Sequence, residues 1–123
     1  MIKFTIYGEL ISLNDYIEAS RGRSWYKSAK KKKEANEACE WAIRQQCKGK
    51  HIDKCDVAVH WIAPNRKKDH DNIAFGIKFI LDALVNEKVL DNDGWENVGN
   101  ISHTFDVDKN NPRIEVTLLE RTS

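Results

Sequence analysis

An α+β fold is predicted for this chain: one compact domain over residues 1–123, with elements in the order βαβαββ and a mixed sheet packed by two helices. Three observations predict it. Segments near both ends and in the middle alternate apolar and polar residues with a period of two, as half-buried strands do. Two intervening segments repeat apolar residues at helical spacing. No internal repeat, low-complexity run or linker divides the chain.

Met1–Gly8 alternates Ile2, Phe4 and Ile6 against Lys3, Thr5 and Tyr7, so it predicts a first strand. Residues 9–26 contain Asn14, Asp15, Ser20, Gly22 and Ser24 and predict turns and loops. Ser28 is placed to cap a helix running to about Gln46, with Gly49 just past its end. Its inner stripe is Ala35, Ala38, Cys39, Ala42, Ile43 and Gln46. Cys55–Ile62 predicts a second strand, with Val57, Val59 and Trp61 on one face. Ile73, Ile77, Ile80, Leu81 and Leu84, widened by Phe75, Phe79 and Val85, predict a central helix from Asp71 to Val85. The alternating runs at 101–107 and 114–118, joined through Asp108–Pro112, predict a closing hairpin.

Composition excludes several classes. The hydrophobic fraction of 41% and the four Trp argue for a globular chain rather than a disordered one. No stretch reaches the roughly 18 to 20 apolar residues of a membrane span, and the N-terminus lacks the apolar core of a signal peptide. Three cysteines, an odd number without zinc-site spacing, agree with a reducing cytoplasmic setting. The net charge of +1 conceals an asymmetry. Residues 1–68 hold 15 Lys/Arg against 8 Asp/Glu, whereas residues 69–123 hold 5 against 11. A basic half points to an anionic partner, and an acidic half in the same domain points to concentrated carboxylates.

The carboxylates that carry chemistry stand in Asp69-His70-Asp71-Asn72, between the second strand and the central helix. In extended backbone, residues two apart project to one side, so Asp69 and Asp71 converge. Asp93 follows the central helix in a polar loop, with Asp91 as the fallback. Carboxylates gathered together repel one another unless a cation joins them. Mg²⁺ suits such a site because it takes oxygen ligands and keeps water that serves as a nucleophile. Taken alone, each segment reads more readily as ordinary caps and turns, and the combination is what points to chemistry.

The run Asp69-His70-Asp71-Asn72, then Lys78, Asp82-Ala83-Leu84 and Asn92-Asp93, resembles the RusA-type Holliday-junction resolvases. Ser12-Leu13-Asn14 and the basic stretch after it extend the resemblance more loosely. It implies an α+β homodimer with a Mg²⁺ site in each subunit, nicking opposed strands of a four-way DNA junction. It also implies Asp69, Asp71 and Asp93 as metal ligands and Lys78 as the essential cation. One departure is clear: Phe75 stands where the family commonly has its Lys, and Lys78 lies seven residues after Asp71. Lys78 reads equally as a salt-bridge partner of Asp82.

Candidate DNA-binding residues are Asn14, Arg21, Arg23, Lys27, Lys30, Lys31, Lys32 and Lys33, with Trp25 and Tyr26 among them, and Arg66, Lys67 and Lys68 just before the acidic segment. Cations of this kind neutralise phosphates, and aromatics stack on exposed bases. The leading expectation is a Mg²⁺-dependent, structure-selective endonuclease. The alternatives are a branched-DNA-binding module that does not cut, and a phosphoesterase acting on nucleotides or RNA.

Overall fold

The computed structural model of the chain describes residues 1–21 and 25–121, the side chain of Trp25 excepted. Strand β1 (Ile2–Tyr7) leads to helices α1 (Leu13–Ser20) and α2 (Trp25–Gln46), then strand β2 (Cys55–Ala63). Helices α3 (His70–Ala74) and α4 (Ile77–Asn86) follow, and strands β3 (Val98–Val107) and β4 (Arg113–Glu120) close the chain. The four strands form one mixed sheet in the order β1-β4-β2-β3. The fold is α+β, as the alternating pattern predicts.

Hydrophobic periodicity explains where each face goes. Ile2, Phe4 and Ile6 of β1, Val57, Val59 and Trp61 of β2, and Ile114, Val116 and Leu118 of β4 are buried. They pack against Cys39, Ala42 and Ile43 of α2 and Phe79, Ile80, Ala83 and Leu84 of α4. Each fully buried Leu, Ile or Phe contributes about 1.5–3 kcal/mol, so this single core dominates stability. No helix among the described residues is long and apolar enough to cross a membrane.

Four local expectations are corrected. Residues 13–20 form a helix rather than a loop, because the buried Ser12 caps it and its Oγ accepts from the Asp15 N–H at 3.3 Å. Helix α2 begins before Ser28, so Lys30–Lys33 lie beyond its first turn, and Ala38 of its expected inner stripe is exposed. The central helix is broken at Phe75–Gly76 into α3 and α4. Gly76 presses on Trp61: a Cβ there would lie 3.0 and 3.1 Å from two carbons of the Trp61 side chain.

The expected closing hairpin is absent. Strand β3 pairs with β2 in parallel, whereas β4 inserts between β1 and β2 and is antiparallel to both. Alternation locates a strand but does not choose its neighbour. Parallel neighbours need a crossover connection, and the α3–α4 segment supplies it. The crossover has a functional consequence: residues 64–69 leave the C-terminal end of β2, and α4 carries the chain back to the opposite end of the sheet before β3 begins.

Candidate active site

Asp69 precedes α3 in extended backbone, and Asp71 lies in that helix's first turn. Both are exposed. They line one open cavity of ≈ 800 Å³ with Arg66, Lys68, His70, Phe105, Asp106 and Val107. Carboxylates and cations therefore share one open surface. The other members of the acidic motif hold it in place. Asn72 Oδ1 accepts the Asn14 N–H at 2.8 Å, tying α3 to the start of α1. Lys68 Nζ lies 3.4 Å from Asp15 Oδ2. Hydrogen bonding to the Ser12 side chain, followed by Lys68, holds the Asp15 carboxyl below its usual range despite some desolvation.

Aromatic packing fixes the same segment from the other side. The His70 ring stacks on Phe105 with centroids 4.0 Å apart and planes 4° from parallel. Trp61 Nε1 donates to His103 Nδ1 at 2.9 Å, which leaves that nitrogen as an acceptor. Burial pushes the His103 pKa down, so the neutral ring that this bond needs is favoured. Phe75, standing where the family's Lys is expected, packs between Tyr16 and Phe79 with centroids 5.5 Å from each. That place is a partly buried apolar contact packed against the core.

Asp93 lies elsewhere. It is exposed and lines a separate cavity of ≈ 340 Å³ with Lys32, Asn36, Asp82, Val85 and Asn86. This cavity is at the end of α4 and the start of β3, whereas Asp69 and Asp71 sit beside the end of β3. The seven residue steps from Val98 to Phe105 put the two places on the order of 20 Å apart at strand rise. Within one chain, the structure brings Asp69 and Asp71 together and leaves Asp93 apart. Asp91, the fallback, is engaged at that far end: His51 Nε2 lies 3.1 Å from its Oδ1, and His51 Nδ1 lies 3.7 Å from Asp53 Oδ1. Among the described residues, His51, Asp53 and Asp91 are the one group of three acidic, His or Cys side chains whose ligand atoms fall within 4.8 Å.

The cations divide by location. Arg66 and Lys68 line the Asp69–Asp71 cavity, and Lys67 is exposed beside them. Arg21, Lys27 and Lys31 line a groove between α1 and α2, shared with Asp15, Glu18 and Glu34. Lys32 lines the Asp93 cavity, Lys33 pairs with Glu37 at 3.9 Å, and Lys30 is exposed. Helical geometry spreads four consecutive lysines around the axis, which is why they do not form one patch. Lys78 is exposed on α4 and lines neither acidic cavity, and no ion pair joins it to Asp82 among the described residues. Arg23 lies outside the described residues. Asp106 was not legible as a site residue. It joins the cavity only because β3 runs parallel to β2, and its Oδ2 lies 2.6 Å from His60 Nε2.

A family model for the endodeoxyribonuclease RusA matches residues 11–119. The chain belongs to the RusA endodeoxyribonuclease family. None of the curated proteins compared with it matches. The RusA match spans the capped α1, the acidic segment, the Asp93 turn and most of β4, so both acidic places lie within the shared region. A RusA protein is a Holliday-junction-resolving nuclease, which accounts for carboxylates set beside cations on an open surface.

Proposed function

We propose that this protein resolves four-way DNA junctions by Mg²⁺-dependent hydrolysis, acting as a homodimer that places one nick in each of two opposed strands. The observation that carries this reading is the open cavity where Asp69 and Asp71 stand beside Arg66 and Lys68. The donors offered by Asp69 and Asp71 are carboxylate oxygens on an exposed surface, the set a hard divalent cation prefers. Such an ion, when bound, supplies an activated water and offsets charge on the phosphodiester oxygens. Asp69 and Asp71 hold it, and the third ligand in this reading is the partner subunit's Asp93. The separation of Asp93 from the pair within one chain motivates that assignment.

The remaining roles belong to the same reading. Arg66, Lys67 and Lys68 neutralise the phosphates flanking the scissile bond. Asn14, through its backbone bond to Asn72, positions the acidic segment, and Arg21, Arg23, Lys27 and Lys30–Lys33 bind the junction arms. Lys78, exposed on α4, is the cation that the family resemblance implies as essential.

Cleavage of a synthetic four-way junction, with linear duplex as control, tests this reading. Wild-type protein cuts the junction only with Mg²⁺, and Asp71→Asn abolishes cutting while binding the junction as tightly or more tightly. Normal cleavage by Asp71→Asn contradicts the proposed site. The partly buried Phe75, packed between Tyr16 and Phe79 where the family commonly has its Lys, favours a second reading, a branched-DNA-binding module that does not cut. Wild-type protein that binds the junction and never cuts it, whatever the divalent ion, supports that reading instead.

A further inference from the structure

The core helices pack on one face of the sheet, and the opposite face carries a chain of charged side chains. His60, on β2, stands there between two carboxylates. Its Nδ1 lies 3.1 Å from Glu115 Oε1 on β4, and its Nε2 lies 2.6 Å from Asp106 Oδ2 on β3. Only a protonated ring donates from both nitrogens, so this arrangement is that of an imidazolium. Beyond Glu115, Arg113 Nε donates to Glu115 Oε2 at 3.1 Å, and Arg113 Nη1 donates to Asp108 Oδ2 at 3.2 Å. Strand β1 lies past β4 and presents Lys3, Thr5 and Tyr7 to the same face.

The two carboxylates depend on His60 unequally. Glu115 also has Arg113, whose hydrogen bond holds its carboxyl below the usual range against some desolvation, with His60 adding to the effect. Asp106 has no second partner among the described residues, and its side chain is 69% exposed. Register sharpens the difference. Asp106 stands opposite Ile62, whereas His60 stands opposite Thr104, two residues back along the sheet. The bond therefore draws the Asp106 carboxylate away from residues 64–69, where Arg66 and Lys68 line the cavity that Asp106 shares. Lys68 is paired with Asp15, but Arg66 is exposed and joins no ion pair among the described residues.

We propose that Asp106 is an internal competitor for Arg66, parked on the protonated His60 and released when that ring loses its proton. A neutral ring has one N–H and one bare lone pair, so it does not satisfy both carboxylates. Glu115 keeps Arg113, and Asp106 is set free. The loose carboxylate pairs with Arg66 and repels a DNA phosphate that approaches the cavity. Imidazole ordinarily changes charge within about pH 5 to 8, so the switch tightens DNA binding as pH falls. It rests on the reading of Arg66 as a phosphate contact.

Junction binding without divalent ion, followed by fluorescence anisotropy, tests the switch apart from cleavage. Wild-type protein should bind a labelled four-way junction about three- to fivefold more tightly at about pH 6 than at about pH 8, the scale of one exposed ion pair. Asp106→Asn should bind tightly at both and lose most of that difference. His60→Thr suits a strand and is too short to hold Asp106. It should bind weakly at both, and adding Asp106→Asn to it should restore tight binding. A pH response that Asp106→Asn leaves intact overturns the switch and assigns the response to another ring, such as His70 in the same cavity. Nuclear magnetic resonance gives a readout without DNA. The Asp106 carboxyl and Arg66 Nε resonances should shift together as the His60 ring loses its proton, and should not do so in His60→Thr. Resonances indifferent to that ring overturn the switch. Wild-type protein that binds no junction at either pH contradicts the phosphate reading of Arg66, and the resonances then decide the switch by themselves.

Discussion

The imidazole of His70 lies flat on the ring of Phe105, 4.0 Å between centroids, so the acidic segment rests on the last part of β3. Replacing Phe105 by Ala removes that support. Because Phe105 is half-buried, the cost should be about 1–2 kcal/mol, below the 3–5 typical of a core Phe→Ala change. Chemical denaturation measures it. Phe105→Tyr keeps the ring and should restore most of the loss.

Asn72 links the acidic segment to α1 through one hydrogen bond to the Asn14 N–H. Asn72→Ala should cost about 0.5–1.5 kcal/mol, the usual net worth of such a bond. Asn72→Asp keeps an acceptor at the same place and should recover stability in the same urea titration.

Gly76 has an ordinary helical φ of −60°, so its backbone tolerates any residue. What it lacks is room beside Trp61. Gly76→Ala should therefore destabilise by about 1–3 kcal/mol through overpacking, despite the better helix propensity of Ala. A rise in Tm on this substitution would show that Trp61 yields easily.

His103 gives a pH dependence of defined sign. Its folded pKa is pushed below the ordinary 6.5 by burial, so the unfolded chain binds the proton more readily. Its contribution to stability is complete above about pH 6.5 and declines as pH falls from there through the lowered folded pKa. The Trp61 bond to Nδ1 is lost with it, because a protonated ring has no acceptor. The difference in unfolding free energy between pH 7.5 and pH 5.5 should shrink in His103→Phe.

The core and the acidic segment were legible in the sequence because both obey local rules. Ile2, Phe4 and Ile6, then Val57, Val59 and Trp61, alternate with the pleat and are buried. Asp69 and Asp71 stand close in the chain and share a cavity in the fold. What depended on distant partners was not legible. The pairing of β3 with β2 rather than β4, and with it the place of Asp106, is decided by strands many residues apart. The helix at 13–20 was hidden because Asn14 and Asp15, counted as turn formers, sit in the first turn of a capped helix. The position of Asp93 follows from the α4 crossover, whose direction no residue pattern states.

Whether two subunits build each active site is tested most directly by mixing two inactive chains. Asp71→Asn and Asp93→Asn, each alone, should fail to cut a four-way junction. Coexpressed with different tags and purified as the mixed dimer, they should regain one complete site from Asp69 and Asp71 of one chain and Asp93 of the other. That dimer should nick one strand without resolving the junction. A mixed dimer as dead as its parents would contradict the account, since it places all three carboxylates within a single chain.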